Sequence, residues 1–282
     1  MLQVDDKILS DIGRGFSVPA QPALLLKIQE LMADSDPDIN DIADAISQDV
    51  AVSATILKTI NSPIYGLARS ISDIKKSVRY IGIQGIITLV TSNLLKKSFN
   101  QNSCSIELDD FWSNSTNIAN TAVYIGTKIK RKVSSEKLFT IGLFHDCGIP
   151  VMATKFTDYA QTLEKAINTP SKTLPTIEES AYQVNHATIG YYVASSWRLP
   201  KDICQLILQH HERNFLLNLD NSESQLHFAI LKLAENIVHQ HKHFTPSADW
   251  PFIQDTILTV LDIDEEDVQD IMEDVNEQTE LD

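Results

Sequence analysis

Residues 138–148 read Leu138-Phe139-Thr140-Ile141-Gly142-Leu143-Phe144-His145-Asp146-Cys147-Gly148. Leu138, Ile141, Leu143 and Phe144 recur at helical spacing, which predicts a buried helix with Ser134 or Ser135 as its N-cap. At its end that helix delivers an imidazole and a carboxylate side by side. These are the ligand types that a zinc, iron or manganese centre uses together, and neighbouring placement lets the imidazole hold one metal while the carboxylate bridges to a second, as in two-metal hydrolases. A buried His-Asp pair also forms as a plain hydrogen-bonded pair, so the dipeptide alone does not decide.

Outward from this segment the hydrophobic spacing stays helical, and alternating strands flanked by turn residues are missing. Leu24, Leu25, Ile28, Leu31 and Met32 share one face. Asp38 can cap a helix carrying Ile39, Ile42, Ala43 and Ile46, and the next, through Val52, Ile56, Leu57 and Ile60, stops at Asn61-Ser62-Pro63. Ser72 opens a helix that Gly82 terminates. A polar connector at 100–105 precedes a long amphipathic helix expected at 109–130. Thr176 with Glu179 makes a capping box, and Pro200 opens a helix after Trp197-Arg198-Leu199. Further helices are expected at 222–239 and 252–261. The fold class is therefore all-α: a helical N-terminal lobe at 1–105, a second helical lobe at 106–261, and an acidic segment at 262–282. In that segment Val268, Ile271, Met272 and Val275 keep helical spacing, which allows a docked helix or a loose one.

The chain has 23 Lys and Arg against 38 Asp and Glu, a net charge of −15. The charge is polarised: residues 262–282 hold eleven acids and no base, whereas residues 51–132 carry a net +7. Overall acidity argues against nucleic acid as a partner, since gripping a phosphate backbone needs a basic surface. The positive stretch leaves room for a smaller phosphate-bearing ligand or an acidic partner. The tail is expected to dock as a helix or to shield the basic region.

Cys104, Cys147 and Cys204 are the three cysteines; without a Cys-x-x-Cys pair they match neither a disulfide framework nor a zinc ribbon, and suit a reducing cytoplasm. The first residues hold early acids and no apolar run, so a secretory signal is not expected. The most apolar run, 80–95, is broken by Gly82 and Gly85 and falls short of the ~20 residues of a membrane span. It reads as a core helix, and no membrane partner is expected. His239, His241 and His243 read as a solvated helix end, with His239 and His243 on one face.

More informative histidines lie in Asn185-His186-Ala187-Thr188-Ile189-Gly190 and in Gln209-His210-His211-Glu212, followed by Glu235 on a later helix. With Leu143–Gly148 and Trp197-Arg198-Leu199-Pro200, these segments resemble successive blocks of the HD phosphohydrolase superfamily, in particular its HDOD branch. The N-terminal half resembles that branch independently, through Val18-Pro19, Ile46-Ser47-Gln48-Asp49, Ile56-Leu57, Asn61-Ser62 with Tyr65-Gly66, and Ile71-Ser72-Asp73-Ile74 leading to Tyr80-Ile81-Gly82. The resemblance covers roughly residues 16–238.

The resemblance implies an all-helical regulatory output module of bacterial signalling. It also implies a metal site built from a His on an early helix, the His-Asp pair, later histidines and a late Asp. Carried onto this chain, the candidate metal ligands are His145, Asp146, His186, His210, His211 and Glu235. Asn114 stands where the early His is expected, and a carboxamide is a poor ligand beside imidazole. Ile149 replaces the Lys that follows the His-Asp pair in active relatives. The Gly-Tyr-Pro signature of cyclic-dinucleotide phosphodiesterases is absent, since Arg213-Asn214-Phe215 follows Glu212. No catalytic residue is assigned. The cofactor, if there is one, is a divalent transition metal (Fe, Mn, Zn or Ni) at a residual site; otherwise the set persists as a buried polar network. The expected function is non-catalytic signal transduction through contact with a signalling protein. Two alternatives stand beside it: a metal-dependent phosphohydrolase acting on a nucleotide or small phosphate ester, and a nucleotide-binding sensor without turnover.

Overall fold

Short carboxylate side chains start the first helices. In a computed structural model that describes residues 15–34, 36–61, 67, 69–167, 169, 172–218 and 223–279, Asp38 accepts from the Asn40 N–H at 2.7 Å, Asp49 from Val52 at 2.9 Å and Asp73 from Lys76 at 2.8 Å. Each satisfies a backbone donor that the helix leaves unpaired. The helices are α1 (Ala23–Leu31), α2 (Ile39–Ser47), α3 (Val50–Ile60) and α4 (Ile74–Lys97). α4 begins after Asp73, not at Ser72, because the carboxylate and not the hydroxyl meets the open N–H. Gly82 ends its first two turns with φ 78°, a left-handed conformation that side chains resist, and a second helical stretch follows the kink. The Asn61 carboxamide accepts from the Ile71 N–H and donates to the Ile71 and Leu57 carbonyls, each at 2.8 Å, so it clamps the end of α3 to the chain before α4. Ser62, Pro63, Tyr65 and Gly66, and Ser222 further on, lie outside the described residues.

These four helices form one compact unit, Pro19–Phe99, in which α4 packs on α2 and α3 around Ile28, Ile42, Ile46, Ile56, Ile86 and Val90. Among the described residues α4 alone has the length and apolar composition to cross a membrane; half of its most apolar stretch is buried in this core.

The second unit holds the remaining described residues, with its main body starting at Asn100. Its helices are α5 (Leu108–Lys128), α6 (Ser135–Phe144), α7 (Gly148–Lys155), α8 (Tyr159–Ile167), α9 (Leu174–Tyr182), α10 (His186–Ser196), α11 (Lys201–Gln209), α12 (Glu223–His243), α13 (Trp250–Leu261) and α14 (Glu265–Thr279). α5 packs on α6 and α12, and α10 on α7 and α11, around Trp112, Phe144, Trp197 and Phe228. No strand occurs among the described residues, and the chain is all-α. Ser134 is the cap of α6. The capping box expected at Thr176 does not form: Pro175 sits in the first turn of α9, where its missing N–H costs nothing, so the helix starts earlier and Thr176 lies inside it. Glu179 instead accepts from Asn185 at 2.6 Å.

The acidic segment is a docked helix that also covers basic residues. Ile271 and Val275 of α14 are buried and the helix packs on α5; Asp274 accepts from the Tyr124 hydroxyl and lies 2.8 Å from Lys128, and Asp262 lies 2.9 Å from Lys130. Exposed ion pairs contribute little, so the apolar contacts hold the helix in place. Ile271→Ala is expected to cost about 2 kcal/mol or more of that docking. The check is limited proteolysis, with cleavage within 262–279 appearing well before loss of global helicity. A cleavage pattern identical to wild type would show that Ile271 does not hold the tail.

Candidate metal centre

Two close helix approaches build the centre. A Cβ on Gly142 would fall 2.5 Å from the Ala119 Cα, so α6 lies directly on α5 and carries His145 to the middle of the unit. A Cβ on Gly148 would fall 2.0 Å from the His186 carbonyl oxygen and 2.6 Å from the Gly190 nitrogen, so the starts of α7 and α10 meet backbone to backbone. That approach brings Asp146 Oδ1 to 3.2 Å from His186 Nε2. The end of α11 supplies His210, whose Nε2 lies 3.2 Å from the same oxygen, and the following residue is His211.

Each of the three buried imidazoles has its inner edge selected by what holds its outer edge. The Nδ1–H of His145 donates to the Gly142 carbonyl, that of His210 to the Ile207 carbonyl, and that of His186 to Glu178 Oε2, each at 2.7 Å. Every Nε2 therefore faces inward, at 3.1–3.2 Å from the Asp146 carboxylate, that of His186 also lies 3.0 Å from His211 Nε2, and each offers a lone pair when its ring is neutral. Three lone pairs around one carboxylate repel one another unless a cation or a proton sits among them. A ring held through its outer N–H by a carbonyl or carboxylate is also how proteins orient metal-bound histidine. The ligand atoms of Asp146, His186, His210 and His211 all lie within 4.8 Å of one another, the scale of a single metal ion's coordination sphere. His145 Nε2 is buried without a well-aligned hydrogen bond, 3.3 Å from Glu235 Oε1. The donor set fits a divalent transition metal.

Electrostatics follow from burial and neighbours. Burial opposes charge on His186, yet Glu178 and Asp146 outweigh it and push the imidazole up to about 10. At His210 and His211 burial prevails and lowers both. For Asp146 burial would raise the carboxyl, but the surrounding histidines hold it well below the usual range.

The centre opens on a cavity of about 530 Å³, which Asn114, His145, Asp146, Ile149, Lys232 and Glu235 help to line. Asn114 thus stands in the wall at the position that the resemblance gives to a histidine, and Ile149 puts an apolar side chain where a lysine was expected. The histidines near the end of α12 are not simply solvated. His239 is half-buried and both it and His243 line the same cavity, while His241 turns away to Asn276 at 2.7 Å. The reason is that α12 runs on to His243, one helical turn beyond His239, so the face they share points to the cavity.

Four participants have no signal in the sequence motifs. Glu178 is fully buried; it accepts from the His186 N–H and Nδ1–H and from the Tyr159 hydroxyl. Lys232 is buried, with its ammonium 2.7 Å from Glu235 Oε2, and Asp249 lies 3.6 Å from His211 and receives Arg213 at 3.0 Å. A lysine amid the apolar residues 229–234 was a usable hint, since a buried ammonium must be paired. Nothing local marks Glu178, Tyr159 or Asp249.

A helical unit with a His-Asp pair and later histidines converging on one carboxylate defines a protein of the HD type. The family model of the HDOD domain matches residues 18–213, and the chain belongs to that family. Solved structures share the fold. An HDOD domain protein of unknown function from Geobacter sulfurreducens has a TM-score of 0.65 at 20% identity, with 96% of this chain and 97% of that one covered. A candidate metal-dependent phosphohydrolase from Shewanella amazonensis SB2B has 0.67 at 20%, covering 96% and 95%. Among curated proteins, an uncharacterised protein of Treponema pallidum (strain Nichols) is 28% identical over 201 residues; the match spans 69% of this chain and 37% of the relative's length.

Proposed function

We propose that this HDOD protein is a regulatory module that binds one divalent transition metal ion at Asp146, His186, His210 and His211 and passes the state of that centre to a signalling protein partner, without turning over a substrate. The observation that carries the metal is the inward orientation of the Nε2 edges of His186 and His210, each fixed by a bond on the far side of its ring, within 4.8 Å of the ligand atoms of Asp146 and His211. Support for a regulatory role comes from membership of the HDOD family. Against turnover stand Asn114 and Ile149, which leave the cavity wall with one imidazole and one ammonium fewer than the resemblance calls for.

A second reading, phosphohydrolysis of a nucleotide or small phosphate ester, is favoured by the cavity itself, since it is large enough for a small molecule and Lys172, Lys232 and Lys242 supply positive charge along its lining. A bound metal would polarise a phosphoryl oxygen there. Lys232 and His239 would orient the anion, and Ile149 and Leu174 would exclude water from one side.

Metal analysis of protein purified without an affinity tag tests the first reading. The expected result is about one equivalent of a transition metal, lost in Asp146→Asn, with no phosphate release from phosphate esters after Mn or Ni addition. Less than about a tenth of an equivalent would sink the metal centre. Phosphate release that vanishes in Asp146→Asn would establish the phosphohydrolase in place of the regulatory reading.

A further inference from the structure

The carboxylate of Asp146 divides the centre into two halves. Its Oδ1 faces His186 and His210, which with His211 make up the four-residue group. Its Oδ2 faces His145 Nε2 at 3.1 Å, and Glu235 Oε1 lies 3.3 Å beyond on the same imidazole nitrogen. This second half has the elements of another cation position: a bridging carboxylate, an inward imidazole and a further acid. A cation sits against the other oxygen of that acid. The Lys232 ammonium lies 2.7 Å from Glu235 Oε2 and 4.0 Å from Asp249 Oδ2, and the side chain is as buried as the core.

We propose that Lys232 is the built-in cation of the second half of the centre, holding Glu235 and Asp249 so that the protein takes one metal ion, at Asp146, His186, His210 and His211, and not two. This rests on the one-metal reading above and adds what limits the centre to a single ion. A divalent ion between His145 and Glu235 would sit beside a fixed ammonium bonded to the same carboxylate, a like-charge contact that burial intensifies. Asn114, in the cavity wall, stands where the resemblance expects a further imidazole, so little is left to offset the repulsion. Lys232 is paired with Glu235 at 2.7 Å and faces Asp249 at 4.0 Å, the carboxylate company a buried ammonium needs. Both Lys232 and Glu235 lie beyond the segment matched to the family. Unlike a metal ion, the ammonium cannot be chelated away, so Glu235 keeps its cationic partner in the metal-free protein.

The test is metal counting on the full chain, stripped and then dialysed to equilibrium against Mn(II) or Zn(II). Wild type is expected to hold about one equivalent and Lys232→Met, which keeps the volume and removes the charge, about two; the added equivalent should vanish in Lys232→Met combined with Glu235→Gln. A folded Lys232→Met protein that stays at one equivalent overturns the inference and leaves the one-metal reading standing. No metal in either protein overturns that reading itself. Independently of how Lys232→Met folds, Glu235→Gln in the wild-type background is expected to keep its single equivalent. A tenfold or greater loss of affinity there would make Glu235 a ligand already and overturn the proposal.

Discussion

Alanine at Gly148 is expected to destabilise the protein by about 3 kcal/mol or more, because its Cβ would overlap backbone atoms of His186 and Gly190 that cannot move aside without separating α7 from α10. Gly126→Ala is the natural control. There the added Cβ meets the tip of Leu138 at 2.4 Å, the far end of a flexible side chain, and alanine gains helix propensity, so the net cost should be about 1 kcal/mol or less. Urea denaturation of both variants measures the difference. The same Gly148→Ala substitution should weaken metal binding, since Asp146 and His186 face each other only while the two helix starts touch. A Gly148→Ala protein within about 0.5 kcal/mol of wild type would show that the approach relaxes freely and is not what sets the centre's geometry.

Removing Glu178 is the second large effect. Glu178→Ala leaves the Tyr159 hydroxyl and two His186 N–H groups without their acceptor in a fully buried place, an expected cost of about 3–5 kcal/mol. Glu178→Gln is the more informative variant. It keeps the shape but replaces one acceptor oxygen with a donor, so it should fold while losing about 10–100-fold in metal affinity, because His186 loses the carboxylate that fixes its ring and raises its basicity. Isothermal titration of the metal-free variant measures this. Wild-type affinity in Glu178→Gln would falsify the orienting role of Glu178.

Much of the fold is legible in the residue order for local reasons. Hydrophobic residues three and four apart place α1 to α3 and the buried α6, and the caps Asp38 and Ser134 follow from side-chain oxygens just ahead of such runs. Where the local reading fails, a neighbouring residue competes. Pro175 starts α9 ahead of Thr176, and Asp73 displaces Ser72. In the acidic segment, spacing left a docked and a loose helix equally open. Burial of Ile271 and Val275 against α5 decides for docking, and that contact joins residues more than a hundred positions apart.

The centre divides in the same way. The sequence alone determined which ligand types this protein owns, an adjacent His-Asp pair and a later His-His pair at helix ends, because residue identity and helical period are local properties. It also located Asn114, which the structure finds in the cavity wall. Only the tertiary structure decided how those ligands are used: that Glu178 holds His186, that three imidazoles turn their Nε2 edges to Asp146, and that Lys232 occupies the side of Glu235. These relations join α6, α9, α10, α11 and α12. They depend on how closely helices approach at Gly142 and Gly148, a distance set by packing between segments and not by the order of residues within any one of them.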